Sequence, residues 1–295
     1  MTAPAVDVVH ELAVLRERTR AWRRSGKVVG FVPTMGALHR GHLTLVDAAR
    51  RQSDAVVVSI FVNPLQFGPQ EDLDRYPRQL EQDAAACANA GVDLVYAPPA
   101  AAMYPEGFQT EVSLAHLPTH LCGASRPGHF AGVATVVAKL LLQVGPCRAL
   151  FGRKDYQQFK VIERLVTDLD IEASVVGVPT VRETDGVAMS SRNAYLSPDE
   201  RRRARALVAG LAAAYELYRS HGGELEASRL RQVLRQHMDQ GFDRVDYADV
   251  YHAETLAPLC ATSAAQPVLL AGAGWIGSTR LIDNVVLGQD SIPVA

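Results

Sequence analysis

Two histidines, His39 and His42, lie three residues apart in the run Pro33-Thr-Met35-Gly36-Ala37-Leu38-His39-Arg40-Gly41-His42. Residues at that spacing share a face of a helix, so both imidazoles can meet one ligand. An imidazole donates hydrogen bonds to phosphoryl oxygens and follows the charge that grows on them. The apolar run Val28-Val29-Gly30-Phe31-Val32 comes just before and reads as a buried strand. A strand that turns through glycine into a helix leaves backbone N–H groups without helical partners, and the helix dipole favours an anion there. Gly36 and Gly41 allow a close backbone approach. The pattern points to a polyphosphate. Taken alone, His-x-x-His is common and more often structural, and no Cys/His cluster completes a metal site.

Four further groups have chemistry to offer. Asn63 and Gln66 follow the strand-like run 54–62 and are neutral amides suited to orienting a hydroxylated or carboxylated substrate, although Asn-Pro is also a turn signal. Arg126 and His129 flank a Pro-Gly loop and offer a cation and an imidazole to a carboxylate. Lys154 follows a strand in Gly152-Arg153-Lys154-Asp155 and suits phosphate as a mobile point charge. An exposed turn lysine is an equally good reading of that segment by itself. Ser190, Ser191 and Arg192, after Met189, form a polar loop fitted to β- and γ-phosphates. The same loop also reads simply as the approach to a long helix.

The elements that must carry these groups alternate between strand and helix. Strands are expected over 27–32, 54–62, 93–97, 148–151 and 173–178, and helices over 42–51, 77–90, 133–144 and 156–168. Repeated βα units imply a parallel sheet. The 54–62 run is β-branched almost throughout, as in a strand covered on both faces. Near Pro179 the character changes to two helices, 198–219 and 225–239, and strands over 245–251, 267–271 and 279–286. The expectation is α/β: a Rossmann-like parallel-sheet nucleotide-binding domain, 1–180, followed by a smaller α+β domain, 181–295, able to close over a nucleotide. Gly272-Ala-Gly274-Trp-Ile-Gly277 matches G-x-G-x-x-G, but a strand-like segment follows it, so a hairpin is expected.

Composition narrows the classes. The chain has 295 residues, is 48% hydrophobic and carries a net charge of −2, which gives no reason to expect nucleic acid or a membrane surface as partner. No signal-type apolar core opens it and no apolar run is long enough to span a bilayer. Cys87, Cys122, Cys147 and Cys260 are scattered and fit buried thiols of a cytoplasmic protein.

Together these pieces resemble a known family. Pro33 to His42 resembles the His-x-Gly-His signature of the nucleotidyltransferase superfamily, and Met189-Ser-Ser-Arg192 its second phosphate loop. With Phe61-Val-Asn63-Pro-x-Gln66-Phe67, the segment 72–78, His129-Phe-Ala-Gly-Val133 and Gly152-x-Lys154-Asp155-Tyr-Gln-Gln158, the set is similar to the pantoate–β-alanine ligases, colinear from about 27 to 197 and more loosely to Asn284.

The resemblance implies a two-step reaction: the pantoate carboxylate attacks the α-phosphorus of ATP, and β-alanine then displaces AMP. ATP contacts would fall on Met35, Gly36, Ala37, Leu38, His39, Arg40, Gly41 and His42, and on Gly152, Arg153, Lys154, Asp155, Val181 and Met189 to Arg192. His42 would be the proton donor, and His39, Asn63, Lys154, Ser190, Ser191 and Arg192 would complete the catalytic set. Pantoate would meet Gln66 and Gln158, with Arg126 and His129 close by, and Gln66 would also border β-alanine. Mg²⁺ would accompany ATP, with Asp83 matching a family acid in the metal region, and homodimers are usual. Arg40 stands where relatives commonly carry an acid, Arg153 where a Glu is common, and Gln82 where some have a second acid. Competing readings are a nucleotidyltransferase with a stable dinucleotide product and a non-catalytic nucleotide-binding regulator. Retention of His39, His42, Lys154 and Arg192 together argues against the last.

Overall fold

A computed structural model describes residues 6–69 and 71–292. The described part divides into two compact units, the first drawn from 1–119, 126–153 and 158–178, the second from 120–125, 154–157 and 179–295. Two short segments, one of them carrying Lys154, therefore group with the second unit although they lie well before residue 180.

In the first unit the elements are β1 (Asp7–Val9), α1 (Leu12–Arg24), β2 (Val29–Thr34), α2 (Arg40–Gln52), β3 (Ala55–Ile60), α3 (Leu80–Asn89), β4 (Leu94–Tyr96) and α4 (Ala100–Met103). The short α5 (Leu121–Ser125) belongs to the second unit, and α6 (His129–Val144), β5 (Cys147–Gly152), most of α7 (Tyr156–Asp168) and β6 (Ala173–Val178) return to the first. Six strands make one parallel sheet in the order β1-β4-β3-β2-β5-β6. Every residue of β3 except Ile60 is buried, as its β-branched composition requires of a strand covered on both faces. Val32, Val56, Val58, Val95 and Leu150 of the sheet pack with Leu45, Val46 and Ala49 of α2 and Cys87 of α3.

The chain runs from central β2 outward through β3 to β4, then returns to place β5 on the other side of β2. The carboxyl end of β2 is thus a topological switch point, where open α/β sheets bind ligands. The β2–α2, β3–α3 and β5–α7 connections all leave from strand carboxyl ends, and they hold His39, Asn63, Gln66 and Lys154, with His42 in the first turn of α2.

The second unit holds α8 (Pro198–Ser220), β7 (Leu225–Glu226), α9 (Ala227–Gly241), β8 (Arg244–His252), β9 (Ala261–Thr262), β10 (Val268–Ile276) and β11 (Thr279–Leu287). β8, β10 and β11 form an antiparallel sheet, with α8 and α9 packed on it through Leu207, Leu211, Leu230, Leu234 and Met238. Ser197 caps α8: its Oγ accepts from Glu200 N, and the Glu200 carboxylate accepts from Ser197 N, a reciprocal capping box. The G-x-G-x-x-G decoy lies on β10 and in its turn to β11, the expected hairpin.

Some elements depart from expectation. β1 and α1 have no counterpart among the expected elements: a three-residue strand has too little pattern to read, and its partner β4 lies far along the chain. α6 starts at His129, not 133, so Gly132 lies inside a helix. Cys260 is exposed, against the expectation that all four thiols are buried. No helix among the described residues is long and apolar enough to cross a membrane.

Candidate active site

The turn after β2 is built on left-handed backbone. Gly36 has φ +82° and Ala37 has φ +52°. Thr34 Oγ1 donates to Ser59 O at 2.7 Å and accepts from Gly36 N at 3.2 Å, tying the turn to β3. The next two N–H groups, of Ala37 and Leu38, donate to Asp83 Oδ2 at 2.9 Å and Oδ1 at 2.8 Å. Gln79 Nε2 adds a third bond to Oδ1 at 3.3 Å. The anion that the turn attracts is in part the protein's own: Asp83, on α3 and only 1% exposed. Those two N–H groups are engaged by the protein's own carboxylate, and both oxygens of Asp83 accept hydrogen bonds. Among the described residues no group of three or more His, Cys, Asp and Glu side chains is placed to hold a metal. Burial, reinforced by the Asp83 charge, pushes the neighbouring Cys87 thiol up to about 12 and keeps it protonated.

His39 and His42 cap α2. Backbone N–H of Gly41 donates to His39 Nδ1 at 3.1 Å, and N–H of His39 donates to His42 Nδ1 at 3.4 Å. The rings lie 4.1 Å apart, tilted by 35°. A ring nitrogen that accepts from a backbone N–H carries no proton, so each neutral imidazole is protonated at Nε2. The three-residue spacing therefore does two things: it closes a helix cap, and it makes Nε2 the donor of both rings.

After β3, Asn63 is 1% exposed and uses its whole hydrogen-bonding capacity. Oδ1 accepts from Tyr104 Oη at 2.7 Å and Leu65 N at 3.3 Å, while Nδ2 donates to Gln66 Oε1 at 3.0 Å and Gly132 O at 3.1 Å. Burial pushes the Tyr104 phenol up to about 12, so it remains a donor. Asn63, expected among the catalytic residues, holds the Gln66 side chain, whose Nε2 lies 3.1 Å from Met35 Sδ. Gly132 packs hard against this loop: a Cβ there would sit 2.2 Å from Leu65 O.

Arg126 and His129 are both bonded to groups of the first unit. The Arg126 fork grips Glu71, Nε to Oε1 at 2.7 Å and Nη2 to Oε2 at 2.6 Å. Burial opposes the Glu71 charge, but the Arg126 hydrogen bonds and charge outweigh it and hold the carboxyl below its ordinary range. His129 Nδ1 lies 2.8 Å from Gln66 O. The contacts of these two residues are thus with Glu71 and the Gln66 peptide.

In the second unit the Lys154 ammonium lies 3.8 Å from Asp155 Oδ2, and its carbonyl accepts from Asn284 Nδ2 at 2.7 Å. Gln157 is buried, bonded to His120 O and Cys122 N, whereas its neighbour Gln158 is half-buried. Met189 N donates to Val181 O at 2.9 Å, closing a turn over 181–189. Arg182 clamps that turn to buried Asp283, and Arg201 grips Asp185 at 2.7 and 2.6 Å. Ser190 Oγ then accepts from Arg192 N at 3.3 Å and opens the 3₁₀ turn Ser191–Tyr195. Gly152 ends β5 and Arg153 opens the 3₁₀ turn that follows, both in the first unit.

Sequence reasoning missed Glu71, Gln79 and Tyr104, and carried Gly132 only within the motif His129 to Val133. Glu71 and Gln79 border the motif segment 72–78, a positional hint. Tyr104 has no local signal, because its partner Asn63 is 41 residues away.

Comparison with known proteins points to one family. The family model described as pantoate-beta-alanine ligase matches residues 7–286. Pantothenate synthetase of Myxococcus xanthus is 52% identical over 98% of this chain and 98% of its own. That of Moorella thermoacetica is 50% identical over 96% and 99%. The crystal structure of pantothenate synthetase from Thermus thermophilus has a TM-score of 0.87 at 48% identity, covering 96% of this chain and 99% of its own. Pantoate-beta-alanine ligase from Francisella tularensis, complexed with β-γ ATP and β-alanine, has a TM-score of 0.76 at 32% identity over 97% and 99%. A histidine-capped helix at the switch point and matches over nearly the whole chain lead to one conclusion: this chain belongs to the pantoate–β-alanine ligase family.

Proposed function

We propose that the chain condenses pantoate with β-alanine at the expense of ATP, releasing pantothenate, AMP and pyrophosphate. Family membership over residues 7–286 carries this reading. The F. tularensis relative, complexed with β-γ ATP and β-alanine, supports the class of substrates.

The pantoate carboxylate is already a nucleophile at neutral pH and needs no strong base. In the first step its oxygen bonds to the α-phosphorus and the bond to pyrophosphate breaks, leaving an acyl adenylate. In the second, the β-alanine nitrogen bonds to the acyl carbon, AMP leaves with the carboxyl oxygen, and the amine gives up a proton. The main costs are bringing two anions together and the charge that grows on phosphorus. Nε2–H of His39 and His42 is assigned to that charge, with His42 as proton donor. Lys154, Ser190, Ser191 and Arg192 are assigned to the β- and γ-phosphates. The segments 35–42 and 152–155, with Val181 and Met189, are assigned to the rest of the nucleotide. Gln66 and Gln158 take pantoate, and Gln66 also borders β-alanine.

A divalent cation is generally expected of an ATP-dependent ligase. With Asp83 engaged by backbone, Mg²⁺ is assigned to the ATP phosphates and its own waters, which suits an ion that sheds water reluctantly. A homodimer in the cytoplasm is the setting we infer from the family resemblance, and sedimentation of the purified chain tests the assembly. The reaction itself is tested by pantoate-dependent exchange of labelled pyrophosphate into ATP, followed by AMP release on adding β-alanine. Absence of exchange with pantoate at any Mg²⁺ concentration would overturn the proposal.

A further inference from the structure

Two side chains converge on a single peptide oxygen, and a third holds one of them. Arg126 Nη1 lies 2.9 Å from His129 Nε2. A guanidinium only donates, so Nε2 must accept, and the neutral ring carries its proton on Nδ1. Nδ1–H then donates to Gln66 O at 2.8 Å, and Arg126 Nη2 reaches the same oxygen at 3.3 Å. Glu71 holds the guanidinium in plane through two bonds of 2.7 and 2.6 Å. His129 is buried, and the side chains of Arg126 and Glu71 are 16% and 23% exposed. An ion pair this withdrawn from water contributes little net stability, but its fork geometry fixes position well. What it positions is the peptide of Gln66, whose side-chain amide is held on its other side by Asn63.

We propose that Glu71, Arg126 and His129 are positioning residues that set the aim of the Gln66 amide and thereby tune recognition of the hydroxy acid. This rests on the assignment of Gln66 to pantoate. It differs from direct contact because the three act only through Gln66.

The test is a double-mutant cycle on the full chain, read as KM for pantoate and KM for ATP in pyrophosphate exchange. Gln66→Ala and His129→Ala are each expected to raise KM for pantoate on the order of tenfold, with KM for ATP little changed, a size usual for groups that orient a ligand-binding side chain. The double variant is expected to be no worse than Gln66→Ala. His129→Asn, whose amide N–H takes the place of Nδ1–H, is expected to recover most of the loss. Arg126→Lys, which keeps the charge but loses the fork, is expected to behave like His129→Ala, and it serves if His129→Ala fails to fold. Additive losses, or an equal rise in both KM values with a lowered melting temperature, would overturn the positioning chain. If Gln66→Ala leaves KM for pantoate unchanged, the Gln66 assignment itself falls, and the chain with it.

Discussion

Replacing Asp83 with alanine separates a loop clamp from a metal ligand. The carboxylate accepts from Ala37 N at 2.9 Å, Leu38 N at 2.8 Å and Gln79 Nε2 at 3.3 Å. Without it, two backbone N–H groups lose their acceptor in a protected place, at about 1–3 kcal/mol each. The left-handed Ala37, with φ +52°, loses the contact that holds it there, and that conformation costs an L-residue roughly 1–2 kcal/mol. Water entering the vacated space recovers part of the loss, so about 3 kcal/mol is expected in urea denaturation. Asp83→Asn keeps one acceptor but turns an NH₂ toward the second backbone N–H, so at least about half the loss should remain. Because the turn leads directly into the His39–His42 cap, KM for ATP in pyrophosphate exchange should rise as stability falls. The refuting result is clear: an Asp83→Ala chain of unchanged stability whose exchange returns with excess Mg²⁺ would make Asp83 a metal ligand.

Three further predictions use other contacts. Gly132→Ala would put a Cβ 2.2 Å from Leu65 O, so the 63–66 loop must shift and circular-dichroism melting should fall by several degrees, together with pantoate-dependent exchange. His42→Asn keeps an acceptor near the Nδ1 position and should preserve the α2 cap while abolishing exchange, whereas His42→Gln keeps a donor near Nε2 and should retain part of it; equal activity in both would remove the Nε2 argument. The Arg201 hydrogen bonds hold the Asp185 carboxyl below its ordinary value of 3.8. A carboxyl lowered on folding stabilises fully above its unfolded pKa and loses that contribution as pH falls through the folded one. The stability gap between the parent and Asp185→Asn should therefore be constant near neutrality and shrink below about pH 4 in acid titrations.

Much of this molecule is readable without coordinates. Runs such as Val28–Val32 and 54–62 announce covered strands, the switch in pattern near Pro179 announces the antiparallel part, and His39–His42, Lys154 and Ser190–Arg192 announce phosphate chemistry. Periodicity and residue type are local properties, so they locate elements and chemical capacity. Partners are a different matter. Whether a carboxylate such as Asp83 binds metal or backbone, and whether Arg126 meets substrate or Glu71, depends on groups 45 to 55 residues away. Asn63 reads as a substrate amide in the chain, yet burial leaves its four bonds used within the fold. The kind of sheet and the family are legible in the order of residues. Which side chains are held and which do the holding emerges only when the chain is packed. A polar group's role is set by the partner that packing brings to it once water is excluded, and that partner is not written beside it in the chain.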